Sequence, residues 1–431
     1  MPLYTASTTP DALTGAIFAI EGIADAAVVL NGPTGCKFYH SAVSDSQFPR
    51  SADYDPLSFA DRCYFGQPRV PATYLDGNDY VYGSSAKLTE VLNVVATKGF
   101  GLIAVINSPG AALIGDDLER LLRHELADIP HLAVESTGFS GDFGSGFQTA
   151  ILKMLSVLDW PDAPRDSQAV NLLGISLNQK YFENNYATLR ELLALCGVRV
   201  CSALGATDNL ATVRLARQAA LNVVVCPENS LTVARQLERD WQTPYLQLEQ
   251  GQPIGFAATE AFIQQVCGAL DTDPAPAITV VEQARAQAYL HLSRYASLLG
   301  EPKGARYSIR AAASAALPLT GWLSGYLGMI PAAIELLPGE DGGSQSQLEH
   351  YLSSIQHPDA LSRSVASTPA ELILADGDSI AASRLIGQRA ACIEIGYPAL
   401  SYLDIVRKQL YGPEGALFLL EQIMNGLRYV N

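Results

Sequence analysis

The sequence predicts an α/β architecture, doubly wound, with mostly parallel sheets covered on both faces by helices. Three observations predict it. Short continuous apolar runs recur along the chain, most of them end in glycine, proline or asparagine, and amphipathic stretches follow. Unbroken runs, rather than alternating ones, belong to strands buried on both faces, as parallel strands are.

Taken in order, Ala26 to Leu30 (AAVVL) is the first strand and ends at Asn31-Gly32-Pro33. Gly101 to Asn107 (GLIAVIN) is the next and ends at Ser108-Pro109-Gly110, before an expected helix over Leu118 to Glu125. Val170 to Gly174 precedes a helix expected over Ala187 to Cys196, then come Val198 to Ser202 and Leu221 to Cys226, with a helix ending near Trp241. Leu372 to Ala375 and Cys392 to Gly396 complete the series. Two stretches rich in turn formers, Asp159 to Arg165 and Asp271 to Ala277, mark seams. They predict three domains: 1–165, 166–275 and 276–431. Gly339 to Gln345 reads as a surface loop inside the third.

Composition narrows the function classes. The chain has 431 residues, of which 48% are hydrophobic and 17% charged, far from the composition of a disordered chain. Forty-four acidic against 28 basic side chains give a formal charge of -16, which argues against nucleic-acid or anionic-membrane partners. No apolar run approaches the ~20 residues that span a bilayer, and the first residues lack the pattern of a secretion signal, so a cytoplasmic protein is expected. Seven cysteines, an odd number spread along the chain, are not a disulfide framework. In a reducing compartment they are free to bind metal.

Chemistry in such folds gathers at the carboxyl ends of strands. There, Gly32, Pro33 and Gly35 form a tight turn that sets Cys36 at or near a helix start, where the dipole would favour a thiolate. The competing reading is a turn that happens to contain a buried Cys. Cys63 follows in Asp61-Arg62-Cys63-Tyr64, with Arg62 beside it to offset thiolate charge. The third loop, Asn107 to Leu118, carries Ile114-Gly-Asp-Asp-Leu118, which reads as a helix opening with both acids in the first turn.

In these loops the sequence resembles the nitrogenase component 1 family: dinitrogenase subunits, their cofactor-assembly scaffolds and nitrogenase-like reductases. The resemblance rests on G-x-x-G-C at Gly32 to Cys36, on Cys63, on Asp79 to Leu88 and on the I-G-D-D segment, and continues through Ala187 to Val200 and Leu221 to Cys226. Gln252 to Ile263, Ile393 to Pro398 and Gly412 to Ala416 look most like the beta-type and scaffold-type members.

The resemblance implies three Rossmann-like domains and an iron-sulfur cluster at a subunit interface, either [4Fe-4S] or P-cluster-like, with Cys36 and Cys63 as its ligands from this chain. The family's third cysteine is missing; Ser108 or Pro109 stands in its place, and Ser108 offers either an oxygen ligand or a cap on the following turn. Cys226 lies where alpha-type subunits bind a larger iron-sulfur cofactor, and the plain alternative is a strand-end core Cys. No histidine lies near Ile393 to Gly415 to act as that cofactor's second ligand, so a larger cofactor belongs rather to the partner subunit.

The implied partners are an alpha-type subunit in a heterotetramer, or a second identical copy, and an ATP-dependent iron protein, since this chain has no G-x-x-x-x-G-K-[ST] phosphate loop. The implied function is a beta-type reductase subunit that relays electrons to a small substrate other than dinitrogen, for example a methylthio-alkane or a tetrapyrrole. A scaffold for metallocofactor assembly is the alternative. A metal-free dehydrogenase is disfavoured, because the turn after the first strand lacks G-x-G-x-x-G spacing. Cys196, Cys201, Cys267 and Cys392 read as core thiols, and His40 as a proton donor or a local cap. The remaining histidines form no zinc motif.

Overall fold

The computed structural model describes residues 10–37, 59–64, 69–135, 141–398 and 404–430. They form two compact units, one of residues 10–164 and 201–218 and one of residues 165–200 and 219–431. None of the helices among the described residues is long and apolar enough to cross a membrane.

The first unit is built on three parallel strands in the order β1 (Ala26–Asn31), β2 (Leu102–Asn107), β3 (His131–Val134). β1 and β2 are in register from Ala26↔Leu102 to Asn31↔Asn107, so both end at the same edge. Every residue of these two strands is buried, as their unbroken apolar runs require. Leu88, Val91 and Leu92 of the helix Ser85–Ala96 and Leu118 and Leu122 of the helix Leu118–Glu125 pack on one face with Tyr64. A cluster of this kind, with each buried Leu or Val contributing about 1.5–3 kcal/mol, holds the strand ends in fixed positions.

The second unit carries two four-stranded sheets. One has the order β5 (Arg199–Ser202), β4 (Asp166–Leu173), β6 (Ala219–Val224), β7 (Tyr245–Gln247), with the chain passing to the other unit within β5. The other has the order β11 (Ala391–Gly396), β10 (Leu372–Asp376), β8 (Arg306–Ala311), β9 (Ile330–Leu336). Every pairing described in these two sheets is parallel. In each, successive strands lie on opposite sides of a starting strand, which opens a crevice at the carboxyl edge: between β4 and β6, and between β8 and β10.

The strand runs read from sequence coincide with β1, β2, β4, β5, β6, β10 and β11. β3, β7, β8 and β9 were not legible. β8 reads Arg-Tyr-Ser-Ile-Arg-Ala, and two of its polar members have side-chain partners: Tyr307 pairs with Ser324, and Arg310 pairs with Asp376. The helix expected over 187–196 runs over Phe182–Leu195.

Candidate functional site

The site in the first unit starts from the two asparagines that close β1 and β2. Asn31 and Asn107 are buried, and a buried amide must find partners. Asn31 Nδ2 donates to Asn107 Oδ1 at 2.8 Å and to Ser84 Oγ at 3.1 Å, and Asn31 Oδ1 accepts from Thr73 Oγ1 at 2.9 Å. Thr73 Oγ1 also accepts from the Gly32 N–H at 3.0 Å, and Ser84 donates from both N and Oγ to Asp116, at 2.6 and 2.7 Å. This network fastens the Asn31–Gly32 turn to the Asn107–Asp116 loop through Thr73 and Ser84. Asn31, Thr73, Ser84 and Asn107 themselves went unread; the available signal was a polar residue at the end of each of two apolar runs.

Residues 70–75 brace the loops of both candidate thiols, Cys36 and Cys63. Along this extended segment, Leu30 N donates to Pro71 O, Thr73 N to Leu30 O and Leu75 N to Gly32 O, which ties one side to β1 and the Cys36 turn. Its other side faces Cys63, where Ala72 N donates to Cys63 O at 2.9 Å. Alternate residues of an extended chain point their backbone groups in opposite directions, so one short segment fixes the two cysteine loops on either side of itself. The Tyr74 hydroxyl donates to the same Cys63 carbonyl at 3.1 Å. Lys37, next to Cys36 and fully buried, donates from Nζ to Val70 O.

Cys36 ends the short helix Thr34–Cys36 and is half-buried. Burial pushes its thiol up, the charge of Asp11 adds to this, and a hydrogen bond with Ser108 opposes both. Burial therefore dominates at Cys36 and acts opposite to the direction expected from a helix start. Gly32 is needed here, because a Cβ would lie 2.9 Å from Cβ and Oγ of Ser108. Ser108 caps the next helical turn, accepting from Ala111 N at 3.2 Å, while staying within hydrogen-bonding reach of Cys36.

Cys63 is buried in the apolar cluster with Tyr64 and Val91, beside a cleft of about 260 Å³ lined by Thr73, Tyr74, Lys87 and Glu90. Burial and Asp61 push its thiol up, while Lys98 and Lys37 pull it down. The offsetting cations are thus these lysines and not Arg62, the sequence neighbour. A residue distant in sequence supplies what the adjacent one does not.

Of the two acids read as a helix opening, only Asp117 caps the helix, accepting from Arg120 N at 2.9 Å; Asp116 serves Ser84 instead. In the same unit Tyr80, Val81, Tyr82 and Leu113 are exposed, with Tyr82 86% and Leu113 77% accessible. The Tyr80 hydroxyl lies against Gly110, and the Cys36 charge helps to raise its pKa. His40 lies outside the described residues.

Cys226 belongs to the second unit and occupies the crevice between β4 and β6. Its environment is closed. The thiol donates to Glu228 Oε2 at 3.2 Å, and the same carboxylate accepts from Ser314 N and Ser314 Oγ at 2.9 and 2.6 Å. Gln252 Nε2 donates to Ser314 Oγ, and Tyr411 OH to Gln252 Oε1. Gly174, at φ +91°, closes the floor, since a Cβ there would meet Cys226 O at 2.3 Å. Burial drives the Cys226 thiol well above its ordinary value, and the Glu228 charge adds to this. Cys196, read from sequence beside Cys201, has Cys267 as its thiol neighbour, and its own thiol is pushed up to about 11, chiefly by burial.

Among the described residues no three His, Cys, Asp or Glu side chains gather as a metal site. The Cys36 and Cys63 loops carry two free thiols, a donor type that suits iron-sulfur clusters, and two alone do not complete one.

The model for nitrogenase component 1 type oxidoreductases matches residues 12–428. The nitrogenase iron-molybdenum cofactor biosynthesis protein NifE of Klebsiella pneumoniae is 25% identical over 277 residues, 61% of this chain and 56% of that protein. One of the subunits of light-independent protochlorophyllide reductase from a Methylobacterium species is 30% identical over 173 residues, 39% of this chain and 33% of that protein. The nitrogenase molybdenum-iron protein alpha chain of Methanothermobacter thermautotrophicus is 26% identical over 265 residues, 58% and 51% of the two chains. The chain spans about half the length of these curated relatives, or less. A chain of the solved structure titled nitrogenase Cp1 at pH 6.5 shares the fold, with a TM-score of 0.76 at 16% identity, covering 100% of this chain and 94% of that one.

Proposed function

The chain belongs to the nitrogenase component 1 type oxidoreductase family, and from that premise we propose that it is a subunit of a nitrogenase-like reductase complex. In this reading Cys36 and Cys63 hold part of an iron-sulfur cluster at a contact with a second subunit. The observation that carries it is the placement of two free thiols in loops held on either side of residues 70–75, in one unit that also exposes Tyr82 and Leu113. Two thiolates leave a cluster short of ligands, so the rest come from another chain.

The residues fit such a group by their chemistry. The thiols are soft donors, Gly32 keeps the turn free of a Cβ, and Phe59 and Tyr64, packed edge to face, wall the Cys63 side against water. Lys37 and Lys98 offset the negative charge that thiolate ligands bring. Ser108 donates toward Cys36 or offers oxygen in place of the missing third sulfur. When bound, the cluster supplies one-electron transfer. The electrons come from an ATP-dependent iron protein and pass to a small substrate such as a methylthio-alkane or a tetrapyrrole, bound in the complex.

Because both thiols are pushed up, each is protonated in the iron-free protein at neutral pH, and ligation releases its proton. Iron uptake therefore strengthens as pH rises. Iron analysis and EPR on anaerobically purified complex test the reading: Cys36→Ala and Cys63→Ala each lose iron, and unchanged iron in both ends it.

Likeness to NifE favours a second reading, a scaffold on which a cofactor precursor matures. A scaffold surrenders its metal once to an apo-enzyme, whereas a reductase turns over many substrates per cluster.

A further inference from the structure

We propose that the second unit contains a separate binding cleft for a flat, largely apolar organic molecule without negative charge, walled by Phe256, Trp322, Tyr326 and Tyr351. This goes beyond the function proposed above and does not rest on it.

The cleft measures about 700 Å³, within the range of small-molecule sites. Its wall is a π-helical turn, Gly321–Tyr326, that continues the helix Ala313–Thr320 past Pro318. Such turns are rare and recur at functional positions. The π turn sets Trp322 and Tyr326 with ring planes 9° apart and centroids at 6.4 Å, and Phe256 meets Tyr326 edge to face at 5.5 Å. A flat aromatic wall of this kind suits a flat ligand.

The glycines are the stronger indication. Gly321 and Gly325 both line the cleft, and glycine weakens a helix. A Cβ on Gly321 would meet nothing within 4 Å, and one on Gly325 only the Tyr351 hydroxyl at 3.2 Å. Nothing among the described residues requires glycine at 321. Any larger side chain there would project into the open cleft and take up space a ligand could use.

Charge sets the ligand's sign. Glu249 and Glu260 line the rim against a single cation among the described residues, Arg285, which is already engaged by Glu260 at 2.6 Å and Glu282 at 2.9 Å and lies 5.7 Å over the Phe256 ring. An anion would meet uncompensated carboxylate; a neutral or weakly basic molecule would not.

The probe is N-phenyl-1-naphthylamine, a neutral aromatic amine, titrated into the full chain and followed by its own fluorescence and by quenching of tryptophan emission. Saturable one-to-one binding with quenching is expected, with affinity weakened roughly tenfold or more in Gly321→Phe. The sulfonated analogue 8-anilinonaphthalene-1-sulfonate should bind more weakly than the neutral dye. Should Gly321→Phe fail to fold, Gly325→Leu takes its place. Wild-type affinity in the folded variant overturns the proposal, as does tighter binding of the sulfonate. Binding seen in the isolated chain but abolished in the assembled complex also overturns it, by making the cleft a subunit contact. Cys36→Ala should leave dye binding unchanged, so failure here and failure of the cluster reading are separable.

Discussion

Cys36 and Cys226 stand in the same sequence setting, each just past a buried apolar strand and at the start of a helix, yet the fold treats them oppositely. Cys36 is half-buried, with a neutral hydroxyl as neighbour, in a unit that also exposes Tyr82 and Leu113. Cys226 is enclosed, its thiol donating a hydrogen bond to a buried carboxylate that two groups of Ser314 also hold. To bind a metal, Cys226 would have to surrender that hydrogen bond and become an anion next to Glu228, a like-charge pair in a medium of low dielectric. Cys36 is only half-buried, and the hydrogen bond with Ser108 opposes the burial and the Asp11 charge that act on it. A strand-end cysteine is therefore a candidate ligand only when the groups around it leave the sulfur uncommitted, and those groups come from far along the chain.

The sharpest test of the contrast is iron itself: Cys226→Ala should keep the metal that Cys36→Ala loses, and equal loss from both would erase the distinction. Next in size is Glu228→Ala, which strands the Ser314 N–H, its hydroxyl and the Cys226 thiol in the interior. It should lower stability by about 3 kcal/mol in urea unfolding, whereas Glu228→Gln, which keeps an acceptor, should cost less. Thiol labelling of iron-free protein gives a kinetic version. Cys36 should react faster as pH is raised toward and past 9.0, because its proton is held above that ordinary value, while Cys226 should stay unlabelled until the chain unfolds. Smallest is Ser108→Ala, where loss of the cap should cost about 1 kcal/mol with iron retained. Ser108→Cys should instead add a third sulfur beside Cys36 and change the EPR signal; an unaltered spectrum would show that position 108 does not face the metal.

Sequence carried the α/β class and both thiol loops because glycine turns and unbroken apolar runs are local signals. It did not carry β8, whose Arg310 is tolerable inside a sheet only because Asp376 receives it. Nor did it reveal that Lys98 and Lys37, rather than Arg62, balance Cys63, or that residues 70–75 hold both loops, since each depends on pairings across tens of residues. Ser108 was legible as a cap, and the structure shows that bond; its nearness to Cys36 needed coordinates.

Lys37 has a last consequence. Its backbone follows Cys36 directly, its ammonium is moored on Val70, and its charge acts on Cys63. The two sulfurs are therefore not separate dials. Shortening or neutralising this one side chain would slacken the Cys36 turn and alter the field at Cys63 in the same stroke, so position 37 is the single knob that detunes both.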